Sequence, residues 1–159
     1  MLHRVPLFSQ KDKQMEITTQ KNKDVVRRFN QEVIVEGNGL NFNELVDNNF
    51  INRTAPQGMD NGPKGMQYFF NQILRPAFTG LSVTIHQQVA EGDLVTTRKT
   101  INGIHTGVFM GIAPTGQVIS IEVIDMVRVQ NGKYVEHWGI TSLSDVLAEL
   151  KSFRSEEKV

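Results

Sequence analysis

Asp125 and His137 are the two side chains whose types and placement best suit proton transfer. Asp125 is the one carboxylate on an otherwise apolar alternation of Ile119, Ile121, Val123, Val127 and Val129. His137 follows in the next extended run, across the turn Gln130-Asn131-Gly132. A carboxylate in an apolar wall is costly unless it is paired or hydrogen-bonded. Burial raises its pKa and a nearby imidazolium lowers it, so two such groups tune each other and can act as acid and base. The same two groups could equally form a structural ion pair that closes the end of a sheet.

Their meeting depends on strand register. A two-residue Asn-Gly turn would pair Gln130 with Lys133 and mix polar with apolar residues on both faces. A three-residue loop with Gly132 left-handed pairs Val129 with Lys133 instead, which sets Val127 against Val135, Asp125 against His137 and Val123 against Gly139. The three-residue loop is therefore the expected arrangement, because a one-residue slip would turn every side chain to the other face.

Other polar residues are weaker candidates. His86 and His105 lie on separate predicted strands, and no His-x-His spacing brings them towards Asp125 and His137, so no metal is expected. Gly103, Gly107 and Gly111 lack the strand-loop-helix context and Lys-Ser/Thr ending of a phosphate loop. They fit bulges and close backbone approach in a bent strand. A Gly-x-Ser-x-Gly nucleophile elbow is absent. Phe69, Phe109 and Met110 are core candidates that could line a cavity, and Asn52 could hydrogen-bond a substrate near its mouth.

The elements that must position these groups follow from periodicity. Asn22 is expected to cap a helix carrying Val25, Val26, Phe29, Val33 and Ile34, and a short helix is expected over 43–47. Pro63 opens a third helix striped by Met66, Phe69, Phe70, Ile73 and Leu74. The period then changes to two, giving strands near 81–86, 94–106, 108–112, 118–129 and 134–141, with a last helix from about Ser142 or Ser144. Helices followed by an antiparallel meander indicate α+β, with helices on one face of a curved sheet. Residues 1–20 are expected to be a flexible extension, 21–152 the domain and 153–159 a polar tail.

The chain has 159 residues, enough for one domain with a real core. Seventeen basic residues balance seventeen acidic ones, so charge gives no reason to expect nucleic acid as a partner. No run reaches the roughly 20 apolar residues of a membrane helix, and no signal-peptide pattern is recognised. Cysteine is absent, which excludes disulfides and thiolate chemistry and suits a cytoplasmic setting.

Gly103-Ile104-His105-Thr106-Gly107-Val108-Phe109-Met110-Gly111-Ile112-Ala113-Pro114-Thr115-Gly116 resembles the GxHxGxFxGxxPTG signature of SnoaL-like polyketide cyclases, also called ester cyclases. Asn131-Gly132-Lys133, Glu136-His137-Trp138, Leu147 and Leu150 continue the match. Upstream, Lys23 to Asn30 resembles the family's first helix, and Gly62-Pro63-Lys64-Gly65 the turn before its third. The resemblance spans about residues 21–151. It implies a nuclear transport factor 2-like cone whose helices pack on the concave face of the sheet around a hydrophobic pocket, in a homodimer or homotetramer.

It also implies cofactor-independent aldol cyclisation of a polyketide ester, in which a base removes a carbon-bound proton and the enolate attacks a carbonyl. The pocket would be lined by His105, Asn52, Phe109, Met110, Phe69 and Val123. The sequence departs from the family where the catalytic aspartate belongs, because that position is Gly139, and Asp125 stands where the family carries a histidine. Two readings remain open. Asp125 has taken over as base with His137 as its partner, or the chain is a non-catalytic small-molecule binding module.

Overall fold

The computed structural model describes residues 7–156, so residues 1–6 of the expected extension and 157–159 of the expected tail lie outside it. Helix α1 (Gln10–Arg28) runs on through π-helical turns over Phe29–Val35. It starts well before the expected Asn22 cap. Ser9 is the N-cap: its side chain accepts from the Asp12 amide at 3.1 Å, and the Asp12 carboxylate accepts from the Ser9 amide at 3.1 Å. This reciprocal capping box sets the true start. Asn22 is instead buried within the helix. Residues 10–20, expected to extend flexibly, are helical but almost wholly exposed. From Val26 onward the face carrying Val26, Phe29, Val33 and Ile34 is buried.

A short helix, α2 (Gly39–Leu45), is capped by the Asn38 side chain, which accepts from the amides of Leu40 and Asn41. The helix expected over 43–47 therefore begins and ends earlier, and strand β1 (Val46–Asn52) takes its place. Helix α3 (Pro63–Tyr68) starts with Pro63 in its first turn, as expected, and continues through π-helical turns (Phe69–Leu74) and α4 (Arg75–Ala77). Four antiparallel strands follow: β2 (Phe78–Glu91), β3 (Leu94–His105), β4 (Val118–Gln130) and β5 (Lys133–Thr141). Helix α5 (Leu143–Glu156) closes the described chain and extends past residue 153, where a tail was expected. The strand expected over 108–112 is a tight turn: Phe109 bridges Ile112, while Met110 and Gly111 take positive φ.

The sheet order is β1-β5-β4-β3-β2, with β1 parallel to β5 and every other pair antiparallel. The fold is α+β. Val95, Thr97, Lys99 and Ile101 of β3 and Ile119, Ile121, Val123, Asp125, Val127 and Val129 of β4 form the inner face. The buried side of α1 and its π-helical continuation closes over them. The middle of that inner face is apolar except at Thr97, Lys99 and Asp125, and Lys99 and Asp125 belong to the candidate site.

Candidate active site

The β4–β5 hairpin departs from the expected register in an informative way. Gln130 pairs with Lys133, and Asn131 and Gly132 have φ of 51° and 73°. This is the two-residue turn that Asn-Gly favours, not a three-residue loop. The irregularity sits one step later. Val129 pairs with Tyr134 but Arg128 pairs with Glu136, which leaves Val135 as the extra residue of a bulge. The bulge switches the face of the residues beyond it, so Tyr134 and His137 both point inward.

Asp125 therefore pairs with Gly139, and His137 pairs with Val127. The expected direct pairing of Asp125 with His137 is displaced by two residues. An even displacement keeps both groups on the same face. His137 Nε2 lies 3.7 Å from Asp125 Oδ2, within ion-pair reach and beyond a hydrogen bond.

The nearer partner of Asp125 is Lys99. Its ammonium is 2.8 Å from Asp125 Oδ2, and both side chains are more than nine-tenths buried. Lys99 Nζ also donates to Asn30 Oδ1 at 2.7 Å, and Asn30 Nδ2 donates to the Val26 carbonyl at 2.8 Å, which holds Oδ1 towards the lysine. Asn30 lies in the π-helical continuation of α1, so the helical cover reaches into the sheet at this point. Burial pushes the Asp125 carboxyl up. The Lys99 charge, reinforced by contacts from His137 and Lys99, outweighs burial and holds the carboxyl below its ordinary value. Asp125 Oδ1 is buried and has no hydrogen-bond partner.

A second set of contacts fixes the imidazole. Asn52, at the end of β1, pairs with His137 across the parallel ladder. Asn52 Oδ1 accepts from the Thr54 amide at 3.1 Å and lies 3.0 Å from His137 Nδ1, so the ring donates from Nδ1. Nε2 is then the ring nitrogen turned to Asp125. Gly139 makes this orientation possible: a Cβ there would lie 2.9 Å from His137 Cε1. The ring occupies the space a side chain at 139 would take.

Of the residues singled out in the sequence, the fold gathers Asp125, His137, Asn52 and Val123, the last paired with Lys99. Phe69 is half-buried in the second π-helical stretch and begins an aromatic run. It packs edge-on to Phe70, Phe70 packs on Phe29, and Phe29 stacks on Tyr134 with centroids 4.2 Å apart. Burial, with the Asp125 charge, pushes the Tyr134 hydroxyl well above its ordinary pKa.

His105, Phe109 and Met110 lie elsewhere. His105 is eight positions beyond Thr97, the β3 partner of Asp125, or about 26 Å of strand. It is fully buried beside Phe78 and Phe109, and its Nδ1 accepts from the Thr115 amide at 3.3 Å. Burial pushes the ring towards its neutral form. Its hydrogen bonds tie down the loop after β3. Met110 is exposed at the tip of the tight turn.

A cavity of about 330 Å³ opens between α5 and the start of β4, lined by Ile119, Val146, Leu150 and Phe153 among others. Neither Asp125 nor His137 lines it. Lys99 and Asn30 were not anticipated, although Lys99 puts a charge into the uncharged inward alternation Val95, Thr97, Ile101 just as Asp125 does in that of β4.

The family model for SnoaL-like polyketide cyclases matches residues 24–150. The chain belongs to the SnoaL-like polyketide cyclase family. Solved structures agree on the fold. TsrD from Streptomyces laurentii superposes with a TM-score of 0.72 at 22% identity, covering 82% of this chain and 95% of its own. IdmH from Streptomyces antibioticus, a candidate polyketide cyclase, gives 0.68 at 28% identity over 82% and 98%. An epoxide hydrolase of the LEH-like type from M. tuberculosis gives 0.62 at 14% identity over 86% and 94%. No curated protein matches the chain in sequence. The nuclear transport factor 2-like fold expected for a SnoaL-like cyclase is thus the fold observed. Among the described residues, no helix is long and apolar enough to cross a membrane.

Proposed function

We propose that this SnoaL-like protein is a cofactor-independent acid/base catalyst of the cyclase type, acting on a small hydrophobic carbonyl or ester substrate. Asp125 is the general base, and His137 positions it or supplies the acid. The observation that carries this reading is the bare Oδ1 of Asp125, a buried carboxylate oxygen with no partner in a cluster whose other members are well held.

The chemistry needs few parts. Oδ1 takes a proton from a carbon next to a carbonyl: the C–H bond breaks, an O–H bond forms on Asp125, and the electron pair moves to the carbonyl oxygen as an enolate. The enolate carbon attacks a second carbonyl of the same molecule, and the new alkoxide takes a proton from an acid such as His137. For substrate to reach Asp125 the helical cover must open. Two π-helical stretches lie in that cover, a rare departure from α-helix that is frequent at functional sites.

The test is exchange at carbon in heavy water. A panel of β-keto esters is incubated with the protein and deuterium uptake at the activated carbon is followed by mass spectrometry. Wild type is expected to accelerate exchange for at least one member, and Asp125→Asn to lose about 10²-fold or more of that acceleration. No acceleration by wild type, or equal rates in the variant, would sink the assignment.

A second reading, a non-catalytic binding module, draws support from Gly139, which stands where SnoaL-like cyclases carry their aspartate. Binding of a panel member with unchanged exchange would favour it.

A further inference from the structure

We infer that Lys99 is the anion-holding group of this site: its remaining N–H receives the oxygen that becomes negative when Asp125 takes a proton, so the ligand class is one whose reacting oxygen becomes an enolate or phenolate. The inference rests on the proposed role of Asp125 but concerns a different residue and a different measurement.

An ammonium has three N–H donors. Lys99 directs one to Asp125 Oδ2 at 2.8 Å and one to Asn30 Oδ1 at 2.7 Å, and both partners are acceptors. An ammonium in this place balances the buried carboxylate 2.8 Å away, and it is the form that carries a third N–H. One N–H is left over, beside a carboxylate that also has one oxygen left over. A spare donor next to a spare acceptor complements a ligand that presents C=O and an acidic X–H close together.

Charge conservation then favours the assignment. Before proton transfer, Asp125 neutralises Lys99. As the proton moves onto Oδ1, Asp125 loses its charge and the ligand oxygen gains one, so the counter-charge of the buried ammonium passes from protein to ligand. At no stage is Lys99 left unpaired in the apolar interior, a condition that would be costly. The stabilisation appears where charge develops, as transition-state stabilisation requires. Asn30 keeps the ammonium in place while its carboxylate partner is neutral. His137 and Tyr134 face the same carboxylate from β5, but an imidazole is neutral or cationic and so cannot replace the carboxylate as counter-ion to Lys99.

The probe is 4-nitrophenol, whose ionised form absorbs visible light. In wild type, Asp125 already neutralises Lys99, and the bound phenol is expected to remain neutral. Asp125→Asn keeps the shape and removes the counter-charge, so Lys99 should capture the ion and displace the bound phenol at least about tenfold towards phenolate. Lys99→Gln/Asp125→Asn should lose that displacement.

Circular dichroism checks that each variant folds. If Asp125→Asn unfolds when free of ligand, the expected result is a melting transition restored by 4-nitrophenolate in that variant alone. Equal ionisation in the single and double variants, or no binding to folded protein, would overturn the assignment. Phenolate capture without any carbon exchange would refute the proposed base and leave Lys99 standing. Exchange without Lys99-dependent capture would do the reverse.

Discussion

Position 139 shows how one missing side chain arranges others. The His137 ring lies across the place a Cβ would fill, and a Cβ there would also come within 3.7 Å of the Asp125 Cβ. Gly139→Ala should therefore push the ring off the carboxylate and cost about 1–3 kcal/mol of stability through overpacking. Two-dimensional NMR of the imidazole would report it, and an unmoved His137 resonance would refute the packing described. Lys99 and Asp125 are coupled more strongly. Lys99→Met leaves a buried carboxylate without its cation and should cost about 3–5 kcal/mol, while Lys99→Met/Asp125→Leu should recover most of that loss. Urea titration separates the two outcomes. If the single variant is as stable as wild type, the ion pair is not as dry as its burial indicates.

Between residue and fold lies the hairpin bulge. Deleting Val135 would restore an unbroken ladder and turn either Tyr134 or His137 outward, so the Asn52 contact to the ring should be lost and melting should fall. Helix α1 offers a second check. Its first turns are exposed and held mainly by the Ser9 capping box, so amides of residues 13–20 should exchange far faster than those of Val26 to Ile34. Ser9→Ala should accelerate them further, by the equivalent of about 1 kcal/mol. These elements also show what could be read in advance. The β4 alternation was legible because six inward residues repeat at period two without interruption. Asn131-Gly132 was legible as a turn, but the bulge was not, since Val135 looks like any strand residue and two registers satisfy the pattern. The β3–β4 register was hidden by the loop over 106–117, which has no short-turn geometry to fix the pairing. Lys99 therefore looked like an ordinary strand lysine. Strand β1 was masked by Asp47, Asn48 and Asn49, turn-favouring residues that form the irregular stretch between its paired ends at Val46 and Ile51.

For the molecule as a whole, Asp125 links folding to acid. Its folded carboxyl titrates below the ordinary value. The unfolded chain therefore binds more protons in the acid range, and stability rises with pH there. That contribution is complete above the unfolded value of about 3.9 and disappears as pH falls through the folded one. Wild type should lose stability in this window more steeply than Lys99→Met/Asp125→Leu, by about 1.4 kcal/mol per pH unit for the one proton. Matching urea midpoints across the acid range would contradict this. The same two charges also act as a proofreading device for assembly. They come from strands joined by a long loop, which could align in several ways. Sliding β3 by a single residue along β4 would expel one charge to solvent and strand the other in oil, so misaligned sheets are penalised before they can settle.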